Sequence, residues 1–519
     1  MKSEAIMKKI LRIAIFIMIA VIMLNGIYQV LRWKDTAGNY LSSLDELYNT
    51  DDGLIDVVFV GSSHSYAGIY PAVLWESAGI SSFNLAVSGQ DRYSAYHQLV
   101  ELLKTQDPEV VFIDLYALTF EEHAVIGNLY RNLLSMHTSV NSVTLVTDYA
   151  DEEDWQDLIL RWPIIHTRYQ ELEENDFVSY AVNTFGRGAL YTWTHEPLNE
   201  KEYRSMLGEN PDSADASAET TDDDSSSAAL LSDQNREWLE KVITLSEEEG
   251  FDLVFMILPY ALVNDDREIF DAIIDYADDC GIDVLDFARL SEDGALADAV
   301  GSGYDLATDF IDNGHLSGYG AVKTTTFLGV YLESYGLPDH RGDAAYELWT
   351  LDDLWYMQTK FRYALDYAAD LTDYCEVLAQ TQSLTAVISL EGDYEGHRAS
   401  SVPAGGSIEA DETDGDTDLY AEGSYYPVLS LLGMSGEEYR AGGKWIYRDG
   451  SLTQILENDA DAEDYILDLS TYDTLRVRYT EDLASGNIMI GTTDYSNTSP
   501  LRILLYDEIE EDVVHSKSY

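Results

Sequence analysis

The sequence predicts an α/β fold built on a doubly wound parallel sheet, with a transmembrane helix before it and a β-rich domain after it. Short apolar, β-branched runs alternate with amphipathic helical patterns through residues 56–335. An apolar segment at residues 10–31 is long enough to cross a bilayer. Short alternating strands separated by Gly, Asn and Asp fill residues 425–519.

Composition limits the partners that the chain can have. The chain has 519 residues, of which 95 are acidic and 30 are basic, so the formal net charge is −65. Phosphate binding needs clustered Lys and Arg, and this balance therefore excludes a nucleic-acid partner. The two cysteines, Cys280 and Cys375, imply no disulfide framework, and we expect both in the core.

The first element is the apolar segment at residues 10–31, which we interpret as a single-pass anchor in the cell membrane. Basic residues before it place the amino terminus in the cytoplasm and the bulk of the chain outside the cell; they are Lys2, Lys8, Lys9 and Arg12. A cleaved signal peptide is the alternative, although Leu24-Asn25-Gly26 is a poor cleavage site. Residues 1–34 are thus assigned to the cytoplasmic tail and the anchor.

The next elements form the predicted catalytic domain, residues 35–340. Its buried strands are expected at residues 56–60, 81–85, 110–115, 252–258 and 283–287. Helical patterns follow at residues 93–104, 234–248, 267–279 and 319–335. Strands that alternate with helices favour a parallel sheet covered on both faces, whose active groups lie at the carboxyl ends of the strands.

Two segments interrupt this domain. Residues 120–203 are rich in Trp, Tyr and His and are expected to form a helical insertion that covers the site. Residues 209–229 are acidic and lack periodicity, which is typical of a disordered loop. Beyond the domain we expect a helical connector at 341–390, an acidic flexible loop at 391–424 and a β-rich accessory domain at 425–519.

The candidate chemistry begins where the first strand ends, at Gly61-Ser62-Ser63-His64. Ser63 is the candidate nucleophile. A serine hydroxyl needs a base to take its proton, and a carboxylate is needed to orient that base. The chain offers both in one late loop, where Asp312 and His315 are three residues apart.

These motifs resemble the SGNH (GDSL-like) hydrolase superfamily, which has a flavodoxin-like sheet. The resemblance rests on Gly61-Ser62-Ser63-His64, on the stretch from Asn84 to Gln90 and on Asp312-Asn313-Gly314-His315, and it covers residues 56–335. It is strongest to membrane-anchored envelope branches related to D-alanyl transfer and alginate O-acetylation proteins. It implies a nucleophilic Ser63, a basic His315 and an orienting Asp312.

The resemblance also implies an oxyanion hole made by the backbone N–H groups of Ser63 and Gly89. A third donor, a side-chain amide, is expected in a Gly-x-Asn-Asp motif after the third strand, where this chain reads Ile113-Asp114-Leu115-Tyr116-Ala117 instead. We expect His64 and Asn84 to support the reacting groups from behind, with Asn84 in a structural role.

The implied function is a membrane-anchored extracytoplasmic serine esterase or O-acyltransferase. Its substrate would be ester-linked acyl groups, above all acetyl, on a cell-envelope polysaccharide, and no metal or organic cofactor is needed. A membrane-embedded acyl-transfer protein is a further expected partner. The alternative is a catalytically inactive SGNH-fold binding or scaffold protein in envelope assembly. The β-rich domain is expected to be an accessory module for glycan binding or for packing on the catalytic domain.

Overall fold

A computed structural model describes most of the chain. The described residues are 2–32, 43–119, 126–177, 186–209, 231–262, 266–381, 384–390, 424–457, 465–469, 474–478, 487–490, 492–495, 501–507 and 512–518. They form two compact units, Met1–Asp353 and Leu354–Tyr519. The predicted acidic loops at 209–229 and 391–424 lie outside these ranges, apart from their end residues Glu209 and Ser424.

The first unit contains the parallel α/β sheet that the sequence predicts. Its five strands lie in the order β2-β1-β3-β4-β5, and every neighbouring pair is parallel. The strands are β1 (Val57–Gly61), β2 (Ser82–Ala86), β3 (Val110–Asp114), β4 (Asp252–Ile257) and β5 (Val284–Asp286). Each strand lies within about one residue of its predicted bounds. This strand order is the flavodoxin-like one.

Helices cover both faces of the sheet. They are α2 (Ser43–Tyr48), α3 (Ser63–Gly68), α4 (Pro71–Ala78), α5 (Arg92–Leu102), α11 (Asp233–Glu249), α12 (Asp266–Cys280), α13 (Phe287–Glu292), α14 (Ala295–Val300) and α15 (Gly318–Leu332). Side chains alternate along β1, so that Val58 and Val60 pack in a core with α5, α11 and α12, whereas Phe59 packs in a second core with α4 and α15. The two cores confirm the doubly wound arrangement.

The segment predicted as an insertion is helical between residues 126 and 177. It contains α6 (Ile126–Ser135), α7 (Val140–Tyr149), α8 (Trp155–Leu160), α9 (Trp162–Ile165) and 3-10 helices at His166–Gln170 and Glu174–Phe177. Residues 186–199 contain no helix, and α10 (Glu200–Met206) follows them. Residues 120–125 and 178–185 lie outside the described part of the chain.

The irregular residues 186–189 cover the edge strand β2. The backbone N–H of Asn84 donates to the carbonyl oxygen of Arg187 at 2.7 Å, on the side of β2 away from β1. The guanidinium of Arg187 is buried and forms an ion pair with Glu46 at 2.7 Å. This contact closes a sheet edge that would otherwise expose unpaired backbone groups.

The predicted membrane segment is a single helix, α1 (Lys2–Leu31). Its apolar part, Lys9–Leu31, is 23 residues long with a mean hydropathy of 2.5. Its length and composition would allow it to cross a membrane, either as a retained anchor or as a signal sequence.

The second unit contains antiparallel strands. One sheet has the order β14-β13-β6-β7-β8 and the other has the order β12-β11-β10-β9. The strands are β6 (Leu384–Leu390), β7 (Gly443–Arg448), β8 (Ser451–Glu457), β9 (Tyr465–Asp468), β10 (Thr474–Arg478), β11 (Asn487–Ile490), β12 (Thr493–Asp494), β13 (Leu501–Asp507) and β14 (Asp512–Ser518). A core that includes Ile446, Val477 and Leu504 joins the two sheets.

Four helices complete the described secondary structure around the second unit. They are α16 (Glu347–Asp366), which begins in the first unit, and α17 (Leu371–Leu378), α18 (Tyr426–Leu429) and α19 (Gly436–Ala441). Short 3-10 helices occur at Leu115–Leu118, Glu333–Tyr335, Ala344–Tyr346 and Ser430–Leu432. The expectation that both cysteines are core residues is wrong for Cys280, which is exposed at the end of α12, whereas Cys375 is buried.

Candidate active site

The predicted nucleophile lies at the carboxyl edge of the sheet. Gly61, the last residue of β1, pairs in register with Ala86, the last residue of β2. Ser63 follows as the first residue of α3, after Ser62 at the N-cap position. Because β1 lies between β2 and β3, the loops that follow all three strands meet around Ser63.

Gly61 allows the chain to turn sharply from strand to helix. A methyl group at this position would lie 2.7 Å from Cβ of Ser65 and 2.9 Å from Cβ of Asp114, closer than side chains pack. The end of β1 is therefore in close contact with both α3 and the end of β3. Ser63 is partly exposed, whereas Ser62 and Ser65 are buried.

Ser63, His315 and Asp312 form a continuous hydrogen-bonded series. Nε2 of His315 lies 2.8 Å from Oγ of Ser63. Nδ1 of the same ring lies 3.0 Å and 3.1 Å from the two carboxylate oxygens of Asp312. A carboxylate only accepts, so Nδ1 carries the ring proton and Nε2 is left to accept the proton of the serine hydroxyl.

The loop that carries Asp312 and His315 is held at several points. Oδ1 of Asp312 also accepts from the backbone N–H of Gly314 at 2.7 Å, and the N–H of Ile311 donates to the carbonyl of His315 at 2.9 Å. Beyond β4, the N–H of Ala261 donates to the carbonyl of Asn313 at 2.7 Å. These bonds fix the acid and the histidine relative to the sheet before any substrate arrives.

Asp309, three residues before Asp312 in the same loop, has a different environment. Its buried carboxylate forms an ion pair with Lys323 of α15 at 2.6 Å. The Oγ of Ser317 donates to the carbonyl of Thr308 at 2.6 Å and caps α15. Asp309 thus supports the loop, and the acid in contact with His315 is Asp312.

His64 packs directly behind the reacting groups. Its ring centroid lies 4.0 Å from that of Tyr116, 4.9 Å from that of Tyr260 and 5.1 Å from that of His315. Burial, with a smaller contribution from nearby His315, lowers the pKa of His64 to about 3. The ring is therefore neutral near pH 7, and it is the ring of His315 that contacts Ser63.

Asn84 supports the helix that begins at Ser63. Its Nδ2 donates to the carbonyl oxygens of Ser65 at 2.9 Å and of Ile69 at 3.1 Å, and its Oδ1 accepts from Oγ of Ser65 at 3.2 Å. The side chain is fully buried. These side-chain hydrogen bonds join β2 to α3 and to Ile69, the residue after that helix.

Gly89 lies in the turn three residues beyond β2, in a left-handed conformation with φ of +66°. A methyl group there would lie 2.9 Å from Oδ1 and 3.2 Å from Nδ2 of Asn128. The side-chain amide of Asn128, on α6, is therefore packed against the turn that was expected to supply an oxyanion donor. Asn128 is not among the residues that the sequence predicted for the site.

Two further side chains of α6 hold the helix against this turn. Arg131 donates to the carbonyl of Ser88 at 2.8 Å and to its Oγ at 3.1 Å. Asn132 accepts from Gln98 at 3.0 Å, and Gln98 in turn accepts from Gln90 at 2.9 Å. Residues 128, 131 and 132 share one face of a helix. This polar spacing is a signal in the sequence that could have drawn attention to α6.

Asp114 occupies the position at the end of β3 where the third oxyanion donor was expected. Its Oδ1 accepts from the backbone N–H of Tyr116 at 3.3 Å. Burial raises the pKa of Asp114 to about 7. An acid with this pKa is poorly suited to donate to an oxyanion across the physiological range.

The site is open to solvent on the side of the loop. The side chain of His315 is 31% exposed and that of Asp312 is 51% exposed. Within the described ranges, no group of three His, Cys, Asp or Glu side chains is placed to hold a metal ion.

No protein-family profile and no curated protein sequence matches the chain. Among solved structures, the chain is similar to a protein assigned to the G-D-S-L lipolytic family from Desulfitobacterium hafniense DCB-2, with 13% identity, a TM-score of 0.24 and coverage of 53% of this chain and 98% of that one.

A second similar structure is that of a protein described as an arylesterase from Agrobacterium tumefaciens str. C58. The identity is 9%, the TM-score is 0.23, and the alignment covers 54% of this chain and 99% of that one. At this level of similarity neither match assigns an activity to this chain.

Proposed function

We propose that the protein is a membrane-anchored, extracytoplasmic serine esterase or O-acyltransferase that acts on ester-linked acyl groups, above all acetyl, of a cell-envelope polysaccharide. The observation that carries this proposal is the connected series from Oγ of Ser63 through both nitrogens of His315 to the carboxylate of Asp312. Side chains that are 252 residues apart meet with the donor and acceptor order that serine activation requires.

The first half of the reaction transfers the acyl group to the enzyme. Oγ of Ser63 attacks the ester carbonyl carbon while Nε2 of His315 takes the hydroxyl proton, and Asp312 stabilises the imidazolium that forms. When the tetrahedral intermediate collapses, the bond between the carbonyl carbon and the sugar oxygen breaks. The leaving sugar oxygen takes the proton from His315, and Ser63 is left acylated.

In the second half, an acceptor hydroxyl attacks the acyl-enzyme. His315 takes the proton of that hydroxyl and then returns it to Oγ of Ser63. Water as the acceptor gives an esterase, and a sugar hydroxyl gives a transferase. The chemistry at the three residues is identical for both acceptors.

The oxyanion of both tetrahedral intermediates needs donors that are already in place. We assign this role to the backbone N–H groups of Ser63 and Gly89 and to Nδ2 of Asn128. The amide of Asn128 is supported by its contact with Gly89 and by the bonds that Arg131 and Asn132 make to the same region. It would replace the donor that is missing after β3.

Two properties support a polymeric, tethered substrate. Exposure of the loop of Asp312 and His315 leaves room for a chain that extends beyond the reacting ester. The apolar helix α1 would hold the enzyme at the layer in which an envelope polysaccharide is itself attached. A membrane-embedded acyl-transfer protein could supply acyl groups at the same surface.

Esterase activity tests this proposal. The full-length protein in detergent should release acetate from an acetylated glycan and p-nitrophenolate from p-nitrophenyl acetate. Ser63→Ala should reduce both rates by at least 1,000-fold, since loss of a nucleophile removes most of the catalysis. Ser62→Ala is the matched control, because Oγ of Ser62 is buried and has no partner among the described residues.

Cells that lack the protein can show whether the acyl acceptor is water or a sugar hydroxyl. A rise in acetylation of the envelope polysaccharide would indicate an esterase, and a fall would indicate a transferase. A folded protein that neither hydrolyses esters nor changes acetylation would favour the alternative of an inactive scaffold.

A further inference from the structure

The end of the apolar helix α1 is built into the fold of the first unit. Arg168, in the 3-10 helix at 166–170, donates to the carbonyl oxygens of Leu31 and Arg32, each at 2.9 Å. Its guanidinium also pairs with Asp176 at 2.8 Å. The last carbonyls of a helix lack partners within the helix and carry partial negative charge, so a buried cation there is a strong cap.

Other contacts join the same end of α1 to the unit. Leu31 is buried, and Arg32 forms an ion pair with Asp45 of α2 at 2.9 Å. The ring of Tyr28 lies 6.2 Å from that of Trp162 in α9. A leader that is removed by cleavage would leave these partners exposed. The contacts therefore favour an α1 that is retained.

Exposed apolar side chains are concentrated in the segment that contacts α1. Beyond α1, the described part of the first unit has four large hydrophobic side chains that are more than half exposed: Val140, Leu160, Tyr169 and Phe177. The last three lie at the end of α8 and in the 3-10 helices at 166–170 and 174–177. We call Leu160, Tyr169 and Phe177 the collar.

The depth of the collar in the membrane follows from the length of α1, because Arg168 joins the residues around the collar to the end of that helix. A helix of 23 residues spans roughly 35 Å, which matches the hydrocarbon core of a bilayer and places Leu31 at its outer boundary. Arg168 is within hydrogen-bond distance of Leu31, Tyr169 follows it in the chain, and Phe177 follows its partner Asp176. Leu160 lies two residues before Trp162, whose ring contacts Tyr28 of α1. These links place the collar close to the level of the lipid headgroups.

We propose that the collar inserts into the outer headgroup region of the membrane and, together with α1, fixes the catalytic unit against the lipid surface. Aromatic residues favour this depth because the ring is apolar and the hydroxyl of a tyrosine is polar. The proposal rests on the membrane anchoring in the proposed function. Lipid is the partner expected for the collar, because the residues around the collar are hydrogen-bonded through Arg168 to the end of the membrane helix α1.

Depth-dependent fluorescence quenching tests the collar. Cys280 is first replaced by Ser, since it is the exposed cysteine, and single cysteines are then introduced as Leu160→Cys, Tyr169→Cys and Phe177→Cys. Val330→Cys on α15, also an exposed apolar position, is the control. The full chain, labelled with an environment-sensitive fluorophore, is placed in nanodiscs that contain lipids spin-labelled near the headgroup.

We expect quenching at the three collar positions at least threefold stronger than at Val330→Cys. Equal quenching at collar and control, with α1 present in the intact mass, overturns the collar proposal and leaves the anchoring in place. Loss of residues 1–31 from the mature protein in cells overturns both. Neither outcome bears on the reactivity of Ser63, which the esterase assay with Ser63→Ala measures separately.

Discussion

Three serines lie within the motif that follows β1, and each has a different environment. Oγ of Ser62 is buried and has no partner among the described residues, and Oγ of Ser65 donates to Asn84 at 3.2 Å. Only Ser63, of the three, has its hydroxyl within hydrogen-bond distance of the histidine, at 2.8 Å from Nε2 of His315. The reactivity that we assign to Ser63 therefore depends on one contact that its neighbours lack.

Removal of the Asn128 amide should slow acylation of Ser63 without unfolding the protein. We expect Asn128→Ala to lower kcat/KM for p-nitrophenyl acetate by roughly 100-fold, the usual effect of losing one oxyanion donor, mainly through kcat. Asn128→Asp should be slower still, because a carboxylate would repel the developing negative charge.

The matched control for Asn128 is Gly127→Ala on the same helix, where an added methyl group would contact nothing within 4 Å. That variant should retain wild-type kinetics. If Asn128→Ala keeps full activity while Ser63→Ala is inactive, the amide has no role in the oxyanion hole.

Asp114 should make the protein less stable as the pH rises. The folded protein keeps the proton of Asp114 up to about pH 7, whereas the unfolded chain loses it near pH 4. The contribution of this group is therefore fully present below about pH 4 and is lost as the pH rises through 7, at up to about 1.4 kcal/mol for each pH unit.

Asp114→Asn removes this titration, and it should reduce the fall in melting temperature between pH 5 and pH 8 measured by scanning fluorimetry. Some pH dependence should remain, because burial also raises the pKa of Asp352 to about 7. An unchanged difference between the two pH values would show that Asp114 is ionised in the folded protein.

At the scale of elements, the sequence predicted what is local and missed what depends on distant contacts. The five parallel strands were found because each is an apolar run that is buried on both faces. The third oxyanion donor was sought after β3 but is assigned here to Asn128 on α6, which meets Gly89 only in the folded chain. No local sequence pattern reveals that these two residues meet. The packing of residues 186–189 on the edge strand β2 was missed for the same reason.

The packing of residues 186–189 on β2 predicts that two glycine substitutions differ in their effect on the free energy of unfolding. Gly188 and Gly281 both have positive φ, so an alanine at either position carries a similar backbone strain of about 1 kcal/mol. An alanine at Gly188 would in addition overlap the carbonyl oxygen of Asn84, whereas one at Gly281 would contact nothing within 4 Å.

The free energy of unfolding, measured in urea, should therefore be lowered by roughly 1–3 kcal/mol more in Gly188→Ala than in Gly281→Ala. Esterase activity should also fall in the Gly188 variant, because Asn84 holds the helix that begins at Ser63. Equal unfolding free energies for the two variants would mean that residues 186–189 do not pack on β2.

At the scale of the whole molecule, composition limits the class of partner. A net charge of −65 repels polyanions, which argues against a nucleic-acid partner. The sequence also predicted the apolar helix and the two sheet types. It did not predict that the end of α1 is capped by Arg168, because that contact joins segments more than a hundred residues apart.

The central claim is that His315 activates Ser63 and no other serine. The most direct measurement is covalent labelling of the full-length protein with a fluorophosphonate, followed by peptide mapping by mass spectrometry. We predict one adduct, on Ser63, whose formation slows at least 100-fold in His315→Asn and continues at the normal rate in Ser62→Ala. An adduct on a different serine, or no adduct on folded protein, would contradict the proposed mechanism.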